Sequence, residues 1–385
     1  MPRHHVERPG NPLKEERDFY RIICVRWKSR SFLFYRKWIS CQAKMLREDG
    51  HCDVQSRCCT DMEPDISRAH GKQEGKRMEM ILQMVLLALG FLMLVKGADW
   101  FVDGASGIAE RFGIPQLVVG LTIVAMGTSM PEAAVSINSA LKGNAGITIG
   151  NIVGSNILNI LIILGITAVI TTVAVQKSTI WIEIPYMLVI TVLLLVLGKS
   201  GNQITFSEGV ILWVVFLFYL GYLFYCAKKN KEEVIAEEAK PMWKLLLATV
   251  LGLLLVVWGS DVTVDAATAI ARVLGISERV IGLTVVALGT SLPELFTSVS
   301  AARKGKADIA IGNIVGSNIF NILFVVGTSA LIVPVEFLPG FGIDTVIALG
   351  AGLLLWVCTW RKRALTRPAG IVMLTAYLAY FIYLM

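Results

Sequence analysis

From residue 80 onward, long runs without a charged side chain alternate with short polar breaks. Ile81–Val95, Ile184–Leu197 and Val210–Cys226 contain no Asp, Glu, Lys or Arg. They approach or reach the roughly 20 residues a helix needs to cross a bilayer. A large soluble helical protein also has apolar helices, but such runs would not recur along most of its chain. The pattern predicts ten helices, near 81–109, 114–140, 146–173, 180–198 and 207–227, then 242–271, 276–302, 308–333, 343–360 and 366–384. The expected fold class is an all-α integral membrane protein.

The two halves of this pattern are copies. Gly113–Gly165 and Gly275–Gly327 align without a gap at a constant offset of 162 residues. Roughly 30 of about 53 positions are identical, far more than shared hydrophobicity alone produces. Upstream, Asp99 and Asp103 in KGADWFVDGA align with Asp261 and Asp265 in WGSDVTVDAA at the same offset. The expected domains are a first five-helix repeat at 80–227, a linker at 228–241 and a second five-helix repeat at 242–385. Because five is odd, the second copy enters from the opposite face. The expected architecture is therefore a pair of inverted repeats, a common plan in secondary transporters.

Composition sharpens one boundary. The chain is 55% hydrophobic and 17% charged, whereas soluble domains carry about 25% charged residues. Residues 1–77 hold all four histidines, five of the seven cysteines and 17 of the 36 Lys and Arg. They contain no run long enough to span and no secretory signal pattern. Their cysteines lack the paired spacing of a zinc site. We read 1–77 as a basic extension, disordered or non-native, with contact to an anionic lipid surface or RNA as its alternative role. Residues 80–385 carry 19 basic and 17 acidic side chains. That balance gives no reason to expect nucleic acid; the lipid bilayer is the expected surrounding, and no obligate protein partner is evident.

Loops after the odd-numbered helices carry most of the basic residues, among them Lys228, Lys229, Arg303, Lys304 and Lys306, while loops after even-numbered helices carry Lys142, Lys199, Arg272 and Arg279. The positive-inside rule then places the 228–241 loop in the cytoplasm and both ends of the ten-helix unit outside a cell (plasma) membrane. A basic extension outside runs against the same rule. A natural start at Met78 or Met80 resolves the conflict.

Candidate chemistry lies inside the apolar segments. Glu132 and Glu294 occupy equivalent positions in two of the predicted helices. A carboxylate at mid-membrane costs at least about 2.5 kcal/mol and by default marks function. The structural alternative, pairing with a buried base, finds no Lys or Arg well inside those helices; Lys96 lies inside another span, and its equivalent is Trp258. Each glutamate follows Gly-Thr-Ser-x-Pro, Gly127 to Pro131 and Gly289 to Pro293. Proline removes an N–H and clashes with the carbonyl four residues earlier, here that of Gly127 or Gly289. The helix should break there and free carbonyl oxygens beside a carboxylate, an arrangement tolerated only where it lines a cavity. A second motif, GNIVGSNIxN, runs Gly150 to Asn159 and Gly312 to Asn321. In it Ser155 and Asn159, and Ser317 and Asn321, share helix faces at i,i+4 spacing. Its glycines suit close helix packing. Carboxylates, hydroxyls, amide oxygens and carbonyls without thiolate or imidazole suit a hard cation such as Ca2+ rather than zinc or copper. Asp99, Asp103, Asp261 and Asp265 read either as added charge or as helix-end residues and partners of a neighbouring helix.

These motifs resemble the alpha-repeats of the Ca2+/cation antiporter superfamily, and within it the bacterial and archaeal sodium/calcium exchangers of YrbG-like type. The resemblance covers about residues 80–385. It implies ten transmembrane helices, alternating access between Na+-loaded and Ca2+-loaded states, no enzymatic activity and no cofactor beyond the transported ions. The GTSMPE segment implies that Thr128, Ser129 and Glu132 bind the ions, and GTSLPE implies the same of Thr290, Ser291 and Glu294. The carbonyls of Ala125 and Ala287 fall where the family binds sodium, and the second motif adds Ser155, Asn159, Ser317 and Asn321. Several members carry an aspartate where this chain has Asn321. With two amides, the core motifs here keep only two acids, which argues against K+ co-transport.

Three alternatives stand beside Na+/Ca2+ exchange. The glutamates could carry H+, making an H+/Ca2+ antiporter, although residues 80–385 contain no histidine. A passive cation channel would use rings of symmetry-related groups. An intramembrane protease with two acids would need an aspartate context that these glutamates lack.

Overall fold

A computed structural model describes residues 54–142, 146–229, 241–275 and 287–384. Residues 1–53, and with them most of the predicted extension, lie outside the described residues, as does most of the 228–241 linker. Contacts divide the chain into Met1–Glu79 and Met80–Met385. In the first unit the chain is helical from Val54.

The second unit is helical almost throughout. Helix α1 (Met78–Phe112) ends at Gly113 (φ 62°), and α2 (Gln116–Thr128) follows behind Pro115. After α2 come α3 (Met130–Leu141), α4 (Thr148–Ile170), strand β1 (Val173–Ala174), α5 (Thr179–Gly201), β2 (Gln203–Ile204) and α6 (Phe206–Lys229). The second half holds α7 (Met242–Val273), α8, described over Ala287–Gly289, α9 (Leu292–Arg303), α10 (Ala307–Ile332), β3 (Val335–Glu336), α11 (Pro339–Trp360), β4 (Ala364–Leu365) and α12 (Arg367–Leu384). Helix α7 ends near Gly275 (φ 80°), the counterpart of Gly113. At both points glycine supplies the left-handed turn that stops a helix.

Among the described residues, eight helices are long and apolar enough to cross a membrane, or nine if the bent pair α2–α3 is one span. Of the predicted helix at 276–302, the stretch 276–286 lies outside the described residues, and the remainder is α8 and α9. Helix α10 buries 94% of its apolar window, whereas α1 and α12 bury only 11%. Large apolar side chains such as Phe218, Phe224 and Val357 remain exposed. Apolar surface on that scale is stable only against another apolar phase, so the bilayer is the solvent of the outer helices.

Two two-stranded ladders tie the halves together. β1 pairs antiparallel with β4, and β2 with β3. Each connection between the last three helices of one half thus pairs with a connection of the other half. The buried helix α10 packs so closely on α2 that a Cβ at Gly316 would lie 2.7 Å from the Leu121 carbonyl oxygen and one at Gly312 3.1 Å from that of Leu117. The small-xxx-small reading of those two glycines is a packing role.

Candidate cation-binding site

The helix carrying Glu132 breaks where the proline requires it. α2 stops at Thr128, Ser129 adopts φ −84° and ψ 7°, and α3 starts with Pro131 in its first turn, bent by 50°. Thr290 and Ser291 interrupt the second copy between α8 and α9, with Ser291 at φ −95° and ψ 4° and Pro293 in the first turn of α9. One expectation needs correcting here. The Gly289 carbonyl is not left free beside the carboxylate, because the Ser260 hydroxyl of α7 donates to it at 2.6 Å.

Both breaks point their acids inward. Glu132 and Glu294 are fully buried. The Ser129 hydroxyl donates to Glu294 Oε1 at 2.8 Å, and the Ser291 hydroxyl donates to Glu132 Oε1 at 3.3 Å. Each glutamate is therefore held by the serine of the other repeat, and the two acids share one place. Neither is paired with Lys or Arg among the described residues, and Lys96 is exposed. Oε2 of each glutamate has no hydrogen-bond partner. Thr128 is buried, with Val124 O at 3.1 Å and Asn313 Oδ1 at 3.0 Å from its hydroxyl. Thr290 is half-buried, and Ala287 is the first described residue of α8. Ser317 is buried and reaches the Ala125 carbonyl at 3.4 Å, and Ser155 is buried.

The second motif builds an amide ring across the two halves. Asn156 Nδ2 donates to the Asn318 carbonyl and Asn318 Nδ2 to the Asn156 carbonyl, both at 3.2 Å. Asn159 Nδ2 donates to Asn318 Oδ1 and Asn321 Nδ2 to Asn156 Oδ1, both at 3.1 Å. The ring uses the donors of Asn159 and Asn321 and leaves both Oδ1 atoms buried without a partner. Local π-turns begin at both residues, Asn159–Leu164 and Asn321–Val326; such widenings concentrate at functional positions. Two glutamate and two asparagine oxygens are thus buried acceptors with nothing to accept. Leaving such oxygens unpaired is costly, and a hard cation is the natural partner. No cluster of three or more His, Cys, Asp or Glu occurs among the described residues, so a cation here relies on neutral oxygens beside the two acids.

The sequence reading missed several supporting residues. Asn151 Nδ2 donates to Ser136 Oγ at 2.9 Å and the Glu132 carbonyl at 3.4 Å; Asn313 does the same to Ser298 and the Glu294 carbonyl at the same distances. These bonds fix each glutamate turn to the following helix. Their signal was present, since Asn151, Asn156, Asn313 and Asn318 stand in the quoted motif and Ser136 and Ser298 are equivalent. A further buried acid, Glu183 in α5, accepts from Tyr222 Oη at 2.7 Å, away from the repeat motifs. Asp99 and Asp103 form ion pairs with Lys304, whereas Asp261 and Asp265 line an open cleft of about 620 Å³ beside Pro131 and Thr290.

The sodium/calcium exchanger protein family matches residues 82–225 and 244–385. The putative antiporter CaxA of Alkalimonas amylolytica is 37% identical over 313 residues, covering 78% of this chain and 98% of that protein. The inner membrane protein YrbG of Escherichia coli K12 is 36% identical over 294 residues, covering 74% and 90%. A structure of the sodium-calcium exchanger NCX_Mj, soaked with Na+ and Sr2+, superposes with a TM-score of 0.69 at 33% identity, covering 79% of this chain and 99% of that one. The chain belongs to the sodium/calcium exchanger family, and is accordingly a multi-spanning membrane antiporter rather than an enzyme.

Proposed function

We propose that this protein exchanges Ca2+ for Na+ by alternating access, through ten transmembrane helices arranged as two inverted five-helix repeats. The observation that carries this reading is the pairing of Glu132 and Glu294 through reciprocal serine bonds, with no base beside them among the described residues and one oxygen on each unpartnered. Two carboxylates balance one Ca2+ and can equally balance monovalent ions one at a time, which is what exchange at a shared site requires. Thr128, Ser129, Thr290, Ser291, Ser155, Asn159, Ser317 and Asn321, with the carbonyls of Ala125 and Ala287, supply neutral oxygens beside the two carboxylates, a set from which Ca2+ would draw its six to eight ligands. Family membership and the Na+ and Sr2+ soaked relative support Na+ and Ca2+ as the cargo.

The inverted arrangement is supported by contacts that exchange between halves under the 162-residue offset, above all the Asn156–Asn318 pair. Access from alternate sides is supported by the open cleft on one repeat and the Lys304 ion pairs at the matching place on the other. We place the protein in the cell membrane with both ends of the ten-helix unit outside and 228–241 in the cytoplasm.

The test is Ca2+ uptake into proteoliposomes under an imposed Na+ gradient, compared with an imposed pH gradient of equal size. Na+ should drive uptake and the pH gradient alone should not. Uptake driven only by pH would assign the protein to H+/Ca2+ exchange. Dissipation of a Ca2+ gradient without any counter-ion would assign it to a channel.

A further inference from the structure

The two repeats carry the same three charged positions and use them differently. In α1, Asp99 and Asp103 stand one turn apart, and Lys304 at the end of α9 bridges them. Its Nζ lies 3.4 Å from Asp99 Oδ1 and 2.9 Å from Asp103 Oδ1, and it donates to the Asp99 carbonyl at 2.9 Å. Ser300, one turn before Lys304, donates to Asp99 Oδ1 at 2.6 Å. This cluster fastens α1 to the helix that carries Glu294.

The 162-residue offset relates Lys304 to Lys142, Asp99 to Asp261 and Asp103 to Asp265. Among the described residues this second set forms no ion pair. Asp261 and Asp265 are exposed on the wall of the 620 Å³ cleft, and Lys142 is exposed at the end of α3. The helices behind show the same difference. Val135 lines the cleft and is 43% exposed, while its counterpart Thr297 is 0% exposed. The neighbouring contact of Lys306 with Glu110, at 4.0 Å, is not preserved by the repeat, because the equivalent positions are Asn144 and Arg272. The copies thus retain one lysine and two aspartates at positions where charge pairing is present on one side and absent on the other.

We infer that Lys304 with Asp99 and Asp103, and Lys142 with Asp261 and Asp265, are two alternating latches, one closing as the other opens. The closed latch holds α1 or α7 against the glutamate-bearing helix of the other repeat and shuts that route to Glu132 and Glu294. The tethered ammonium also acts as an internal counter-cation. It neutralises a carboxylate pair while its route is shut and releases that pair to face entering cations when the route opens. Equal chemistry on both sides keeps the two states close in energy, which an exchanger running in both directions requires. Partly exposed ion pairs of this kind bias a population by only a few-fold, enough to set a preference without trapping one state.

This inference rests on the alternating-access reading, and one experiment separates the two. In the full chain with its native cysteines replaced by serine, Val135→Cys or Thr297→Cys is introduced singly and the protein is reconstituted in sealed vesicles. A membrane-impermeant maleimide is then applied from each side. Alternating access predicts labelling at 135 from one side and at 297 from the other. The latches predict that Lys304→Gln speeds labelling at 297 and slows it at 135 by about threefold. Lys142→Gln should do the reverse, Lys304→Arg should match the parent, and Asp103→Asn should follow Lys304→Gln. If 297 is never labelled from either side, alternation fails and the latches with it. If the parent alternates but the lysine variants leave both rates unchanged, or raise both together as simple loosening would, the latches alone are overturned.

Discussion

Glu132 and Glu294 each use one carboxylate oxygen to accept from a serine of the other repeat and keep the second oxygen unbonded. Losing either acid should therefore damage binding without destroying the serine contact, which an amide oxygen can also accept. Glu132→Gln or Glu294→Gln removes one charge against a divalent ion, on the order of 4 kcal/mol at close range and an effective dielectric near 20. Ca2+ affinity should fall about a thousandfold, measured by isothermal titration; either variant retaining near-parent affinity would remove that acid from the site. Asn321→Asp is a finer probe. The Asn321 amide donates to Asn156 Oδ1, so a carboxylate there loses a donor and meets an acceptor. The third acid should raise the proton affinity of the cluster. At low pH the introduced carboxyl is protonated and can still donate to Asn156, and exchange should resemble the parent. As pH rises the proton leaves, the amide ring loosens and a further monovalent cation is favoured. Identical pH profiles of Na+-driven Ca2+ uptake for parent and variant would show that position 321 does not face the ions.

At the scale of elements, placement of the oxygens depends on how closely α10 lies on α2. Gly316 sets that distance, since a Cβ there would stand 2.7 Å from the Leu121 carbonyl oxygen and 2.8 Å from the Ala125 Cβ. Gly316→Val should push α2 outward and carry the Ala125 carbonyl with it. Overpacking of this kind costs about 1–3 kcal/mol, so thermal unfolding in detergent should come earlier and the Na+ dependence of uptake should weaken. Gly221 in α6 has open space at the same position of its own backbone. Gly221→Ala should leave unfolding temperature unchanged or slightly higher. Equal effects of the two substitutions would mean the α2–α10 contact is not what holds the carbonyl.

For the whole molecule, the membrane unit begins at Met80 by its contacts, and the family match begins at residue 82. Residues 1–77 bring 17 basic side chains that the orientation rule does not want outside. We expect deletion of residues 1–77 to leave insertion and Na+-driven Ca2+ uptake at parent levels, assayed per inserted protein. Loss of uptake on that deletion would make the extension part of the transporter.

Much of this protein could be read without coordinates, for identifiable reasons. Charge-free runs announce membrane helices because lipid admits little else, and the 162-residue repeat was visible because it is gapless. Glu132 and Glu294 stood out because a carboxylate in an apolar helix is expensive. Pro131 and Pro293 fixed where the helices break, since a missing N–H is a local property of the chain. What tertiary structure alone decided are relations across the repeat. No local rule says that Ser129 serves Glu294 rather than Glu132, or that Asn156 and Asn318 orient Asn159 and Asn321. The freed Gly289 carbonyl was taken by Ser260 from a helix about thirty residues away in sequence, a pairing that spacing cannot reveal. The identical aspartate pairs differ most of all. Asp99 and Asp103 are bonded to Lys304, and Asp261 and Asp265 are open to a cleft. One sequence motif thus takes two environments, because the neighbours that pack on each copy, Lys304 and Ser300 on one and an open cleft on the other, are set by the tertiary structure and not by the motif.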